Sequence, residues 1–217
     1  MRTRIKICGI TSVTDAEVAL AAGADAIGMV FYDASPRRVS ADMARAVSAL
    51  APPLVDVVGV FVDPDDMFLQ EILREVRLDV VQFHGDESAM RCGDCPLPYF
   101  KALRIRDDDA IADRVAEYPG ARGVLLDTYS PAVAGGTGRS FIWRDPGPTV
   151  RPIILAGGLG VDNVAEAIRT MRPFAVDVSS GVESAPGIKS RDKIRRFVAA
   201  VRTQDAETST RSASSAA

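Results

Sequence analysis

The sequence predicts an α/β fold: a single (β/α)8 TIM barrel of eight parallel strands over residues 1–203, with a disordered tail over 204–217. Three observations predict it. Short apolar runs rich in Val, Ile and Leu alternate with amphipathic segments of helical spacing. The runs are nearly continuous rather than two-faced, which suits parallel strands buried on both faces. The alternation repeats eight times within 217 residues, fewer than the ~250 typical of this barrel but enough for one domain.

The strands are expected at 4–8, 25–31, 55–62, 79–83, 98–103, 123–127, 152–156 and 174–179. Helices are expected at 15–22, 41–50, 66–76, 87–92, 108–117, 162–171 and 190–201. Several have a capping residue at their start: Thr14 or Asp15, Ser40, Asp107 or Asp108, Asp162, and Ser190. The sixth crossover, 128–148, breaks the pattern. It holds Pro131, Gly135, Gly136, Gly138, Pro146 and Pro148 and reads as a long functional loop. The alternative, an open doubly wound sheet, calls for a glycine fingerprint after the first strand. Cys8-Gly9-Ile10-Thr11 does not supply one. Beyond residue 203 the chain is Thr, Ser, Ala and charge, with no apolar face to bury.

Composition narrows the function. The net charge of −3 gives no general attraction to nucleic acid or to an anionic membrane. No apolar run approaches the ~20 residues that span a bilayer. The apolar stretch after Met1-Arg2-Thr3-Arg4 is too short for a signal peptide, so a cytoplasmic protein is expected. Three cysteines suit a reducing compartment better than a disulfide framework. Cys92 and Cys95 form a C-x-x-C. The single histidine, His84, leaves them short of a zinc set, and they read as incidental turn or surface cysteines. The sequence leaves monomer and homodimer equally open.

In this fold the active site forms at the C-terminal ends of the strands. Cys8 ends the first strand and is followed by Gly9. Most cysteines are small core residues, but this one stands at the mouth. Asp127 ends the sixth strand, Gly123-Val124-Leu125-Leu126-Asp127. A carboxyl at the dry end of a strand loses solvation, which suits an acid. Gly157 and Gly158 follow the seventh strand, and Ser180 and Gly181 the eighth. These are the usual phosphate loops, where backbone N–H groups can approach an anion closely. Gly136 and Gly138 could cover the same group. Arg37 follows Pro36, which fixes the backbone and aims a guanidinium able to grip a carboxylate through two parallel bonds. His84 reads as a ligand contact or as a satisfied turn histidine. Lys6 shares a face with Cys8 by alternation. It either favours the thiolate or pairs with Asp177 on the neighbouring strand. A thiol, an acid, a phosphate site and an anion clamp suggest proton transfer on a phosphorylated small molecule, chemistry that requires no cofactor and no metal.

Several segments together resemble phosphoribosylanthranilate isomerases: Lys6-Ile7-Cys8-Gly9-Ile10-Thr11, Gly23-Ala24-Asp25-Ala26-Ile27-Gly28, Ser35-Pro36-Arg37, Val58-Gly59-Val60-Phe61-Val62, Gln82-Phe83-His84-Gly85, Leu126-Asp127, Gly135-Gly136-Thr137-Gly138 and Asp177-Val178-Ser179-Ser180-Gly181-Val182-Glu183. The likeness runs from about residue 4 to 200. It implies a tryptophan-biosynthesis enzyme that converts N-(5'-phosphoribosyl)anthranilate, a sugar phosphate, to 1-(2-carboxyphenylamino)-1-deoxyribulose 5-phosphate by an Amadori rearrangement. It implies Cys8 as general base, Asp127 as general acid, Arg37 on the anthranilate carboxylate, and the glycines of the last two loops on the phosphate. Arg139, Leu159-Gly160 and Lys189-Ser190 depart from the family's usual Lys, Leu-Asn and Lys-Asp; none is the acid or the base. Two other readings are a histidine-pathway aminoaldose isomerase and a non-catalytic phosphometabolite-binding barrel. The former usually has a carboxylate where Cys8 stands, and the latter would have no use for both Cys8 and Asp127.

Overall fold

A computed structural model of the chain describes residues 2–105, 109–127, 143 and 145–214, with side chains as far as residue 210. Eight parallel strands form a closed barrel: β1 (Arg4–Cys8), β2 (Ala26–Val30), β3 (Asp56–Phe61), β4 (Val80–Phe83), β5 (Tyr99–Arg104), β6 (Gly123–Asp127), β7 (Ile153–Ala156) and β8 (Ala175–Val178). Each pairs with the next, and β8 closes on β1 with Lys6 opposite Asp177. Among the described residues the helices are α1 (Val13–Ala21), α2 (Ala41–Ser48), α3 (Asp66–Glu75), α4 (Ala89–Gly93), α5 (Ile111–Ala116), α6 (Val164–Met171) and α7 (Arg191–Ser214). The sixth crossover from 128 to 142, with Gly136 and Gly138, lies outside the described residues, as do Asp107 and Asp108.

Strand alternation sorts the side chains. One set faces outward under the helices, as Ile5, Ile7, Ile27, Met29, Leu126 and Leu155 do in the main core. The other set faces the barrel axis. There Ala102, Leu125, Ile154, Ala156 and Ala175 form one apolar cluster and Cys8, Val30 and Val60 another. Inward positions near the C-terminal ends of the strands therefore converge on one mouth.

The helix starts differ in part from expectation. Ser40 and Ser190 cap as expected, accepting from Met43 N and Lys193 N. Helix α1 is capped by Ser12 rather than Thr14 or Asp15, because Asp15 N is the group that Ser12 Oγ accepts from, at 3.1 Å. Asn163, not Asp162, holds the N-cap position of α6; its amide instead ties Gly160 N and Gly158 O. The tail boundary at 203 also moves, because α7 continues to Ser214. Gln204 is buried, and Asp205 accepts from Thr3 N at 2.9 Å and Thr3 Oγ1 at 2.6 Å. Thr3, just before β1, thus supplies the partner that local composition does not show.

A feature that periodicity did not reveal follows β8. A 3-10 turn, Ser180–Val182, leads into a two-stranded hairpin of β9 (Glu183–Ala185) and β10 (Ile188–Lys189). At its tip Gly187 has φ +78°, and a Cβ there would lie 2.8 Å from Pro36 O. The hairpin therefore packs on the loop that carries Arg37.

Candidate active site

The floor of the mouth is built by β1, β2 and β8. Cys8 and Lys6 both point inward from β1 and are buried. Lys6 Nζ donates to Asp177 Oδ1 at 3.0 Å, the pairing that the β1–β8 register permits. Gly28 stands opposite Cys8 on β2. A Cβ at Gly28 would come within 2.9 Å of Cys8 Sγ and 3.0 Å of Lys6 Nζ, so the missing side chain is what lets thiol and ammonium share this space. Burial pushes the Cys8 thiol above its ordinary value; Lys6 pulls it down without cancelling the rise, and Asp177 adds to it. Burial opposes the Lys6 charge, but Asp177 and Cys8 outweigh it and hold the ammonium above its ordinary value. Both alternatives for Lys6 are thus realised together: it pairs with Asp177 and lies beside the thiol.

The opposite wall comes from β4 and β6. His84 Nε2 lies 3.3 Å from Asp127 Oδ2, and Gln82 Nε2 lies 2.8 Å from His84 Nδ1. With the Gln82 amide nitrogen so placed, the ring accepts at Nδ1 and donates from Nε2 to Asp127 Oδ2. His84 thus lines the pocket with both ring nitrogens paired. Gln82 is buried and its Oε1 has no partner among the described residues. It was legible as the one polar residue in Val80-Val81-Gln82-Phe83, on the same face as His84.

The loops after β7 and β8 face each other. Gly157 and Gly158 have φ of 81° and 64°, the left-handed region that favours glycine. Gly181 meets a packing need of its own. A Cβ there would sit 1.9 Å from Leu159 O, so this glycine lets the two loops pack closely. Ser180 lines the pocket with Gly157 and Gly158.

Arg37 sits on the rim, but the carboxylate that it grips is the protein's own. Nε donates to Glu183 Oε1 at 2.8 Å and Nη2 to Oε2 at 2.7 Å. Glu183 lies in the hairpin after β8, and no local signal in the sequence pairs it with Arg37.

These elements enclose one cavity of about 520 Å³. Cys8, Arg37, His84, Asp127, Gly157–Gly158 and Ser180 line it, with Asp177 at its floor. Lys6 is buried beneath the thiol. Among the described residues, no three His, Cys, Asp or Glu side chains gather as a metal site would require. A thiol beside an ammonium, a carboxyl beside a histidine and a glycine-lined cavity suit proton transfer on a phosphorylated substrate.

The family model described as N-(5'phosphoribosyl)anthranilate (PRA) isomerase matches residues 5–200. The chain belongs to this family. An N-(5'-phosphoribosyl)anthranilate isomerase of Pseudomonas fluorescens is 56% identical over 200 residues, covering 92% of this chain and 95% of that one. The crystal structure of phosphoribosyl anthranilate isomerase from Thermotoga maritima matches with a TM-score of 0.83 at 39% identity, over 93% of this chain and 99% of that one. A further solved phosphoribosyl anthranilate isomerase holds reduced 1-(o-carboxyphenylamino)-1-deoxyribulose 5-phosphate. It matches with a TM-score of 0.80 at 36% identity, over 93% of this chain and 99% of that one. The closed eight-stranded barrel of this chain is the fold of these relatives.

Proposed function

We propose that the Cys8–Asp127 pocket converts N-(5'-phosphoribosyl)anthranilate to 1-(2-carboxyphenylamino)-1-deoxyribulose 5-phosphate, with Cys8 as base and Asp127 as acid. Membership of the family makes the chain an isomerase of tryptophan biosynthesis. The observation that carries the residue roles is that Cys8 on β1 and Asp127 on β6, strands that are not neighbours in the barrel, line one cavity beside Gly157–Gly158.

Asp127 gives its proton to the furanose ring oxygen. The C1'–O bond breaks as the nitrogen lone pair forms C1'=N, opening the sugar to a protonated Schiff base. Cys8 thiolate then takes the C2' proton, and the C–H electron pair forms C1'=C2' while neutralising the nitrogen. The resulting enolamine gains a proton at C1' and loses the enol proton, giving the ketone. His84 holds the Asp127 carboxyl group at Oδ2 through Nε2 and is held in turn by Gln82. Lys6 favours the thiolate against the burial that opposes it. Gly157, Gly158 and Ser180 receive the phosphate, and Arg37 the anthranilate carboxylate.

The test is loss of anthranilate fluorescence when the substrate is generated in situ and the purified chain is added. Conversion by wild type and its loss in both Cys8→Ser and Asp127→Asn supports the assignment. Undiminished turnover in either variant removes that residue from the mechanism.

A further inference from the structure

Arg37 and its surroundings contain more than a clamp needs. The Arg37 stem crosses Gly9, where a Cβ would lie 2.6 Å from Arg37 Cδ and 2.9 Å from Ser179 Oγ; Gly9 has φ +72°. Arg37 N is held by Ser35 Oγ at 3.1 Å. Glu183 takes the Nε–Nη2 edge of the guanidinium with both oxygens. Behind it, the fully buried Lys189 Nζ donates to Glu183 Oε1 at 2.9 Å and to Ser179 O at 3.2 Å. Lys193 Nζ donates to Glu183 O at 2.7 Å. Arg37 lines the cavity and Glu183 does not.

A guanidinium has five N–H donors in a rigid planar fork. Glu183 consumes one on Nε and one on Nη2, leaving the outer Nη1–Nη2 edge for a second carboxylate. A long arginine side chain otherwise loses considerable rotamer freedom on gripping a ligand. A partner that fixes the plane beforehand removes that loss. Burial would raise the Glu183 carboxyl, but Arg37 and Lys189 outweigh it and hold it below the ordinary carboxylate range, so it remains ionised.

We propose that Glu183, anchored by Lys189, is a positioning residue that presets the plane of Arg37 and thereby sets the preference for an aromatic amine bearing an ortho carboxylate. This rests on the reading of Arg37 as the anthranilate-carboxylate contact. The competing outcome is that Glu183 occupies Arg37 in place of the ligand, in which case its removal tightens binding.

Two probes separate these outcomes: reduced 1-(o-carboxyphenylamino)-1-deoxyribulose 5-phosphate and its phenylamino counterpart without the carboxylate. Dissociation constants are measured by titration calorimetry on full-length wild type, Arg37→Ala, Glu183→Gln, Glu183→Asp and the Arg37→Ala/Glu183→Gln double variant. Glu183→Gln is expected to weaken the carboxylate probe about tenfold, the scale of a hydrogen bond to a charged group, and to leave the counterpart unchanged. Glu183→Asp, which keeps the charge on a shorter arm, should lose less. In the Arg37→Ala background Glu183→Gln should have no further effect, because it acts through Arg37. If Arg37→Ala weakens both probes alike, or neither, the underlying reading of Arg37 is wrong. If Arg37→Ala is selective but Glu183→Gln tightens the carboxylate probe, weakens both probes or changes neither, the positioning role is overturned. Should Glu183→Gln not fold, a selective loss in Glu183→Asp supports the proposal and equal affinities in wild type and Glu183→Asp contradict it.

Discussion

Two buried cysteines in this barrel have nearly the same neighbours and opposite prospects. Cys8 lies beside Lys6, which pairs with Asp177 at 3.0 Å. Cys92 lies near Lys101, which pairs with Glu87 at 2.9 Å. Each thiol thus lies near a buried lysine–carboxylate pair. Cys8, however, faces the barrel axis and lines the mouth, and the space over Gly28 lets Lys6 Nζ share it. Cys92 is sealed between sheet and helix with no exposure, its Sγ 3.9 Å from Glu87 O, a hydrogen-bond acceptor that favours the protonated form. Burial drives Cys92 up to about 12, with Lys101 too weak a counterweight and Glu87 adding to the rise. A lysine near a thiol is therefore not enough to make a base. The cation must reach the sulfur, and the sulfur must reach a substrate.

The second pair has its own task. Lys101 Nζ also donates to Gly85 O at 2.6 Å, while Glu87 accepts from Gly85 N and from Asp63 N at 2.8 Å. It fixes the turn that carries His84. The same chemistry fixes a loop in one place and lies beside a cavity-lining thiol in the other.

The largest expected effect that separates the two regions is on turnover. Cys8→Ser should lower kcat by at least ~10²-fold, the scale of a positioned acid or base, whereas Cys92→Ser should leave it within about twofold as a substitution away from the reacting atoms. Steady-state fluorescence kinetics check both; comparable losses would erase the distinction. Next is stability. Lys101→Met leaves Glu87 buried without its partner and should lower unfolding free energy by about 3–5 kcal/mol, read by urea denaturation, with the folded protein still turning over. A variant that unfolds as late as wild type would show the pair to be dispensable. A smaller effect is expected for Cys92→Ala, about 1 kcal/mol, typical of a single buried change. The finest discrimination is chemical: iodoacetamide should label Cys8 faster as pH rises and more slowly when the product analogue is bound, while Cys92 in the native protein stays unlabelled. Labelling of Cys92 first would contradict the burial described for it.

Legibility in the sequence follows the same division between local and long-range causes. The strands were readable because a parallel strand buried on both faces is a continuous apolar run: 4–8 and 123–127 match β1 and β6 at both ends. The inward carboxyl and thiol were readable because alternation and strand ends are local. The extension of α7 was not, since Asp205 finds its partner in Thr3, 202 residues away. Glu183 was equally hidden: it sits in a hairpin with no periodicity, and Arg37 lies 146 positions earlier. The role of Gly28 arises only from its register with Cys8. Sequence placed the thiol and the carboxyl at strand ends, and tertiary pairing supplied the contacts around them.

The central claim is that Cys8 acts as thiolate with Lys6 as its counter-charge, and the pH dependence of kcat/KM in wild type and Lys6→Gln tests it most directly. Burial raises the Cys8 thiol, so at neutral pH most of it is protonated and wild-type kcat/KM should climb with rising pH as the proton leaves. Lys6 lowers the thiol, so its removal, which also leaves Asp177 unpaired beside the sulfur, should move that rising limb to higher pH and depress the rate at neutral pH. A wild-type profile that falls as pH rises above neutrality, or a limb that stays in place in Lys6→Gln, would contradict it.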